Sequence, residues 1–156
     1  MAAVQVTSGV YFIQNTGTST VLELVGGSAT DGTKVQGYAK RQFSDELVPS
    51  QLWVISQLGA DLVYTIQNTN SRTFADLTGG NVANQTPIIG SKGTGEANQH
   101  WIFIQNADKT AYFIKNQASG TYVDLLNGGA SNGTAVNGWG LGSATNTHQL
   151  WHLVRA

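Results

Sequence analysis

Nine carboxylates are spread over 156 residues, and three of them stand in one repeated setting. Glu23, Asp76 and Asp124 each precede a leucine in a short run that is otherwise apolar or neutral: Val21-Leu22-Glu23-Leu24, Phe74-Ala75-Asp76-Leu77 and Tyr122-Val123-Asp124-Leu125. Strands disfavour Asp, so an acid kept there three times needs a reason. Two readings fit. A strand-end Asp can cap a turn through backbone N–H groups. An ionised carboxylate can also accept hydrogen bonds from two neighbouring hydroxyls at once, which is the chemistry of holding a sugar.

Fifteen positions after the acids stand Tyr38, Ser91 and Trp139, each following a repeated glycine and preceding a long loop. An aromatic there is expected to be exposed, and it favours the sugar reading; partly buried packing is the other role open to Trp139. Galactose carries an axial 4-hydroxyl, which leaves one ring face as a continuous C–H patch. That patch stacks on an aromatic face while the hydroxyl edge reaches a carboxylate or amide. A site of this kind combines apolar area with a few aimed polar groups.

These residues are positioned by an internal repeat. Tyr11, Tyr64 and Tyr112 open an ungapped alignment that continues through Ile13/Ile66/Ile114, Asn15/Asn68/Asn116, Thr20/Thr73/Thr121, the acids, Leu24/Leu77/Leu125, Gly27/Gly80/Gly128 and Gly37/Gly90/Gly138. After a variable loop each copy closes on Gln-x-Trp: Gln51-Leu52-Trp53, Gln99-His100-Trp101 and Gln149-Leu150-Trp151. Alternating patterns broken by Gly and Asn turns predict four short strands per copy, in the third copy at about 111–116, 121–126, 134–138 and 149–155. One copy cannot bury its apolar face alone, so the copies must share a core. We therefore expect an all-β, single-domain β-trefoil over residues 1–156, with repeats of about 1–56, 57–105 and 106–156. A three-bladed propeller or an open solenoid fits less well. The Ile, Leu and Trp columns read as core, the Gly columns as turns with φ > 0, and the repeated Gln as a tie between loop and strand.

Several functions are excluded or disfavoured. Net charge is −1 and the eight basic residues are scattered, which offers no stripe for nucleic acid. No apolar run approaches a membrane span, and the N-terminus lacks a secretory pattern, so a cytoplasmic location is expected. There is no Cys, hence no thiolate metal site and no disulfide. His100, His148 and His152 form no ligand set, and no cofactor is implied. Gly-x-Ser-x-Gly, phosphate-loop and His-Glu-x-x-His motifs are missing. A triad of Ser143, His148 and Asp124 lacks a strained elbow or oxyanion hole. The sequons Asn84-Gln85-Thr86 and Asn132-Gly133-Thr134 fall in a repeated turn and are better explained by it.

The Gln-x-Trp repeats with their acidic column resemble the ricin-B-type β-trefoil lectins over essentially the whole chain. The third copy is similar to the lectin domain of galactose-binding mushroom agglutinins in Thr121-Tyr122-Val123-Asp124-Leu125, Gly133-Thr134-Ala135-Val136-Asn137-Gly138-Trp139 and Asn146-Thr147-His148-Gln149-Leu150-Trp151. The resemblance implies a non-enzymatic fungal lectin for galactose or N-acetylgalactosamine. Asp124 would accept hydroxyls, Trp139 would stack, Asn146 and His148 would add hydrogen bonds, and Gln149 would support them. Asn127 could assist, although an Asn-Gly turn accounts for it more simply. Some such agglutinins carry an added enzymatic domain, which is not expected here.

The other copies depart from this pattern. The first has Glu23, Tyr38, Val48 and Ser50, and the longer Glu would move its carboxylate. The second keeps Asp76 but has Ser91, Glu96 and Asn98 on a loop two residues shorter. One competent site and up to two weaker ones are expected. Agglutination would then need several sites per particle, and a homodimer is the default arrangement. A protease inhibitor acting through the 38–50 loop, which holds Lys40, Arg41, Asp45 and Glu46, is the alternative of a different class.

Overall fold

The computed structural model describes residues 2–156. The first copy supplies β1 (Gly9–Asn15), β2 (Val21–Leu24), β3 (Thr33–Tyr38) and β4 (Trp53–Gln57). The second supplies β5 (Tyr64–Asn68), β6 (Phe74–Leu77), β7 (Thr86–Ser91) and β8 (Trp101–Gln105). The third supplies β9 (Tyr112–Asn116), β10 (Tyr122–Leu125), β11 (Thr134–Trp139) and β12 (Trp151–Arg155). The outer strands of each copy form a closed antiparallel ring, β1–β4–β5–β8–β9–β12 and back to β1. The inner strands form the hairpins β2–β3, β6–β7 and β10–β11, and β3, β7 and β11 pair with one another to cap one end. This is the β-trefoil, and closure removes the edges that an open sheet would expose.

Two expected boundaries move inward. β10 stops at Leu125 because Leu126–Gly128 is a 3-10 turn, with Asn127 at φ 54°. β12 starts at Trp151 because Thr147–Gln149 forms another 3-10 turn. That turn frees the Gln149 side chain to point back into the fold.

The Gln-x-Trp signature has a local explanation. Trp53, Trp101 and Trp151 are buried, and each indole donates to a backbone carbonyl: Leu22, Ala75 and Val123, at 3.0, 3.1 and 3.1 Å. Each of those carbonyls immediately precedes the repeated acid. The Trp therefore fixes the strand that carries the carboxylate, with its polar N–H satisfied as burial requires.

The glycine columns divide, which corrects one expectation. Gly27, Gly80 and Gly128 do adopt φ near +61°, as a turn requires. Gly37, Gly90 and Gly138 do not; they lie within β3, β7 and β11. They are glycine for space. A Cβ on Gly37 would stand 2.7 Å from Leu125, on Gly90 2.8 Å from Leu24, and on Gly138 2.6 Å from Leu77. The leucine that follows each acid thus packs on the glycine of the next copy around the axis, and close packing leaves no room for another methyl.

Candidate functional site

The third copy holds a surface cavity of about 280 Å³ lined by Asp124, Asn127, Trp139, Asn146, His148 and Gln149, together with Asn84, Gly140, Leu141 and Gly142. All six residues marked for this site by the sequence thus meet in one place. Asp124 comes from β10, Trp139 ends β11, and Asn146, His148 and Gln149 come from the turn before β12.

Gln149 is the organiser. Its Nε2 donates to Asp124 Oδ2 at 2.9 Å and to the Gly140 carbonyl at 2.8 Å, while its Oε1 accepts from Gly142 N at 3.1 Å. One buried amide therefore holds the carboxylate and the start of the loop after Trp139, at Gly140 and Gly142. Asp124 Oδ1 has no hydrogen-bond partner among the described residues and is not closed off from solvent. Asp124 is largely buried, and that burial raises its pKa above the usual carboxylate range, against the opposing pull of the Gln149 hydrogen bond and the nearby His148.

The other groups are seated by small residues. His148 lies against Gly128, where a Cβ would stand 2.6 Å from the imidazole. Asn146 caps its 3-10 turn by accepting from His148 N at 3.0 Å, and its amide covers Gly142. Trp139 is half-buried rather than fully exposed, and it lines the cavity. Asn127 is exposed at a left-handed position occupied by Gly26 and Gly79 in the other copies, so it serves the turn and also lines the cavity.

In the first copy the same framework is filled from within. Gln51 holds Glu23 at 2.8 Å and the Ala39 carbonyl at 2.9 Å, and accepts from Arg41 N at 2.8 Å. Arg41 occupies the position that is Gly142 in the third copy. Its guanidinium lies 4.4 Å from the Tyr38 ring centre and pairs with Glu23 at 3.3 Å and Asp45 at 3.1 Å. The ring face and the free carboxylate oxygen are thus both occupied by the chain itself. The expectation placed the departure in the longer Glu23 and in Tyr38, Val48 and Ser50; the closure by Arg41 adds to it. Replacing Arg41 with alanine would leave Glu23, 3% exposed, held by Gln51 alone. We expect a loss of about 2 kcal/mol, or roughly 4–8 °C in melting temperature. An unchanged thermal melt would show that the pair carries no stability.

The second copy is closed differently. Its 3-10 turn, Ala97–Gln99, sits in register with Thr147–Gln149, which places Glu96 opposite Asn146 and Asn98 opposite His148. Gln99 donates to Asp76 Oδ2 at 2.9 Å, and Asn98 donates to Asp76 Oδ1 at 3.0 Å. Both carboxylate oxygens are therefore taken. Ser91 is half-buried and offers no ring, and the nearby surface depression is lined by Glu96 and Asn98 but not by Asp76 or Ser91.

The chain matches the family described as ricin-type β-trefoil lectin domain-like over residues 3–91, 49–139 and 97–156. The chain belongs to this lectin family. Comparison with curated protein sequences finds no match. Among solved structures, the designed threefold-symmetric protein ThreeFoil superposes with a TM-score of 0.85 at 23% identity, over 95% of this chain and 99% of that one. A Polyporus squamosus lectin, solved with the human-type influenza-binding epitope Neu5Aca2-6Galb1-4GlcNAc, gives 0.79 at 32% identity, over 96% of this chain and 50% of that one. The Macrolepiota procera ricin B-like lectin, solved with lactose, gives 0.77 at 24% identity, over 98% and 100% of the two chains. This lectin-family chain therefore spans half the length of the Polyporus protein. The two neighbours below 25% identity share the fold. The family and its lectin neighbours support carbohydrate binding.

Within the lectin frame, two site features lay outside the sequence reading. One is Asn84, which reaches the third copy's cavity from the second copy; its signal is the Asp31/Asn84/Asn132 column, eight positions after each acid. The other is the Arg41/Thr94/Gly142 column, eighteen positions after each acid, which separates a filled site from an open one. The 38–50 loop is also clarified. Arg41 and Asp45 pair with each other, Lys40 sits 4.6 Å from the Phe12 ring centre, and Phe43 meets Phe12 edge-on at 5.6 Å.

Proposed function

We propose that this chain is a non-enzymatic lectin for glycans ending in galactose or N-acetylgalactosamine, with one competent site, in the third copy. The observation that carries the reading is the free oxygen of Asp124. Gln149 fixes one carboxylate oxygen and leaves the other open to solvent beside Trp139, whereas Arg41 and Asn98 take that oxygen's counterpart in the other copies. An ionised oxygen already oriented accepts a sugar hydroxyl with little further ordering cost.

In this reading Trp139 takes the C–H face of the sugar, Asp124 accepts hydroxyls, and Asn146, His148 and Asn127 border the ring. Gln149 contacts no sugar and sets the carboxylate. The lectins solved with lactose and with a galactose-containing sialoside support the choice of galactosides. The non-enzymatic reading is supported by Ser143, which is exposed and whose hydroxyl faces Thr145 at 3.4 Å instead of His148. With one site per chain, agglutination depends on self-association, for which a homodimer is the simplest symmetric form.

A glycan array with an immobilised-galactose column tests this. Binding confined to galactose- and N-acetylgalactosamine-terminated glycans is expected. No glycan binding, combined with inhibition of trypsin or papain, would replace this reading with the inhibitor acting through the 38–50 loop.

A further inference from the structure

The turns at the cap end link the three copies in a cycle. Asp31 Oδ1 accepts from Lys92 N at 2.8 Å, Asn84 Oδ1 from Gly140 N at 2.8 Å, and Asn132 Oδ1 from Ala39 N at 2.8 Å. In each case a residue eight positions after one copy's acid holds the loop sixteen positions after the next copy's acid. The loop held by Asn84 is the one that follows Trp139, and its Gly140 carbonyl is a partner of Gln149. Three hydrogen bonds, by way of Gly140 and Gln149, thus link Asn84 to the Asp124 carboxylate.

The structural demand at this position is for an acceptor, since the partner is always a backbone N–H. Asp31 meets that demand with no N–H₂ group at all. The amide nitrogen of Asn84 is therefore surplus to the clamp. Because its oxygen is committed to Gly140, the orientation of the amide is set and the nitrogen cannot exchange places with it. Among the described residues Asn84 Nδ2 has no hydrogen-bond partner, and Asn84 lines the cavity that holds Asp124 and Trp139. Asn132 makes the equivalent clamp on the first copy, at Ala39, whose carbonyl is held by the Gln51 that also holds Glu23.

We propose that Asn84, contributed by the second copy, is a sugar-contacting residue of the third copy's site, donating from Nδ2 to an oxygen of the bound galactoside. The site is then a composite of two copies. This inference rests on the lectin reading above. It assigns to that site a donor that balances the acceptor oxygen of Asp124, so that a sugar hydroxyl can be bound through both its hydrogen and its lone pairs.

The clamp itself supplies the test. Asn84→Asp keeps an acceptor for Gly140 N, as Asp31 does for Lys92 N, and removes the donor. Asn84→Ala removes both. Titration calorimetry with methyl β-galactoside, at high salt so that the added charge is screened from Asp124, would be compared with thermal melts. Asn84→Asp is expected to melt as the wild type and to bind about tenfold more weakly, the loss of one hydrogen bond. Asn84→Ala is expected to melt lower and to bind at least as poorly. If the wild type binds, Asp124→Ala does not, and Asn84→Asp binds within about twofold of the wild type, the inference fails while the lectin reading stands. If the wild type binds no galactoside, both fail.

Discussion

Replacing Asp124 with alanine is expected to abolish retention on immobilised galactose and to leave the chain close to native stability. Two sugar hydroxyls on a charged acceptor contribute about 1.5–3 kcal/mol each, so affinity should fall on the order of 100-fold or more. Stability should change little because the carboxylate is largely buried and its ionised form is penalised there. Gln149 would lose one acceptor but keep the Gly140 carbonyl. A variant that unfolds at native temperature would mean that Asp124 is part of the scaffold; one that binds normally would move the site elsewhere.

The raised pKa of Asp124 adds a pH signature whose sign is fixed. Its folded value lies above the ordinary Asp value of about 3.9, so in the window between the two the folded chain holds a proton that the unfolded chain has released. Stability from this group therefore falls as pH rises through that window: the cost is absent below the unfolded value and fully present above the folded one. Sugar affinity should move oppositely, rising across the window as the accepting oxygen ionises. Asp124→Asn should flatten both changes. Affinity that stayed constant down to the ordinary Asp value would contradict an ionised acceptor.

The second large effect concerns Trp139. Its ring closes one side of the cavity from the end of β11, paired across the hairpin with Tyr122. Stacking a sugar face on it removes apolar area worth about 2 kcal/mol from water, so Trp139→Ala should weaken galactoside binding about 30-fold. Trp139→Phe should recover part of that loss. The alanine variant should also discriminate poorly between galactose and glucose, because the axial 4-hydroxyl is what leaves galactose with a continuous C–H face. Wild-type affinity in Trp139→Ala would show that the ring serves packing alone.

The threefold pattern made most of the architecture legible. Tyr, Ile and Trp columns with period-2 alternation point to a shared core, and each copy carries one acid and one closing Gln-x-Trp. The six residues gathered around the third cavity were also legible, since they lie near the acid, the hairpin end or the closing turn of one copy. What stayed hidden depends on how the copies sit around the axis. Gly37, Gly90 and Gly138 look like turn glycines until the leucine of the preceding copy is seen to fill the space above each. Arg41 reads as a solvated loop charge until its backbone N–H is found on Gln51, at the place of Gly142, with its side chain returned to Glu23. Local pattern carries no record of such returns. A long cationic side chain at that position can as well face water, and burial of its partner decides between the two.

The cyclic clamp also changes what counts as the inherited unit. Each copy gives its turn to the next, so a binding corner belongs to a boundary between neighbours. Divergence in either neighbour can silence it, and restoring one copy in isolation need not revive it. Conversely, the third copy carries both halves: Asp124, Trp139 and Gly142 for its own corner, and Asn132 in the place that Asn84 holds for its neighbour. A chain of three third copies would present three complete corners, and a symmetric protein of this shape exists in ThreeFoil. In that sense the present chain keeps a threefold frame with one open corner: Arg41 fills the first, and the second has Asn98 on its carboxylate and no ring at Ser91.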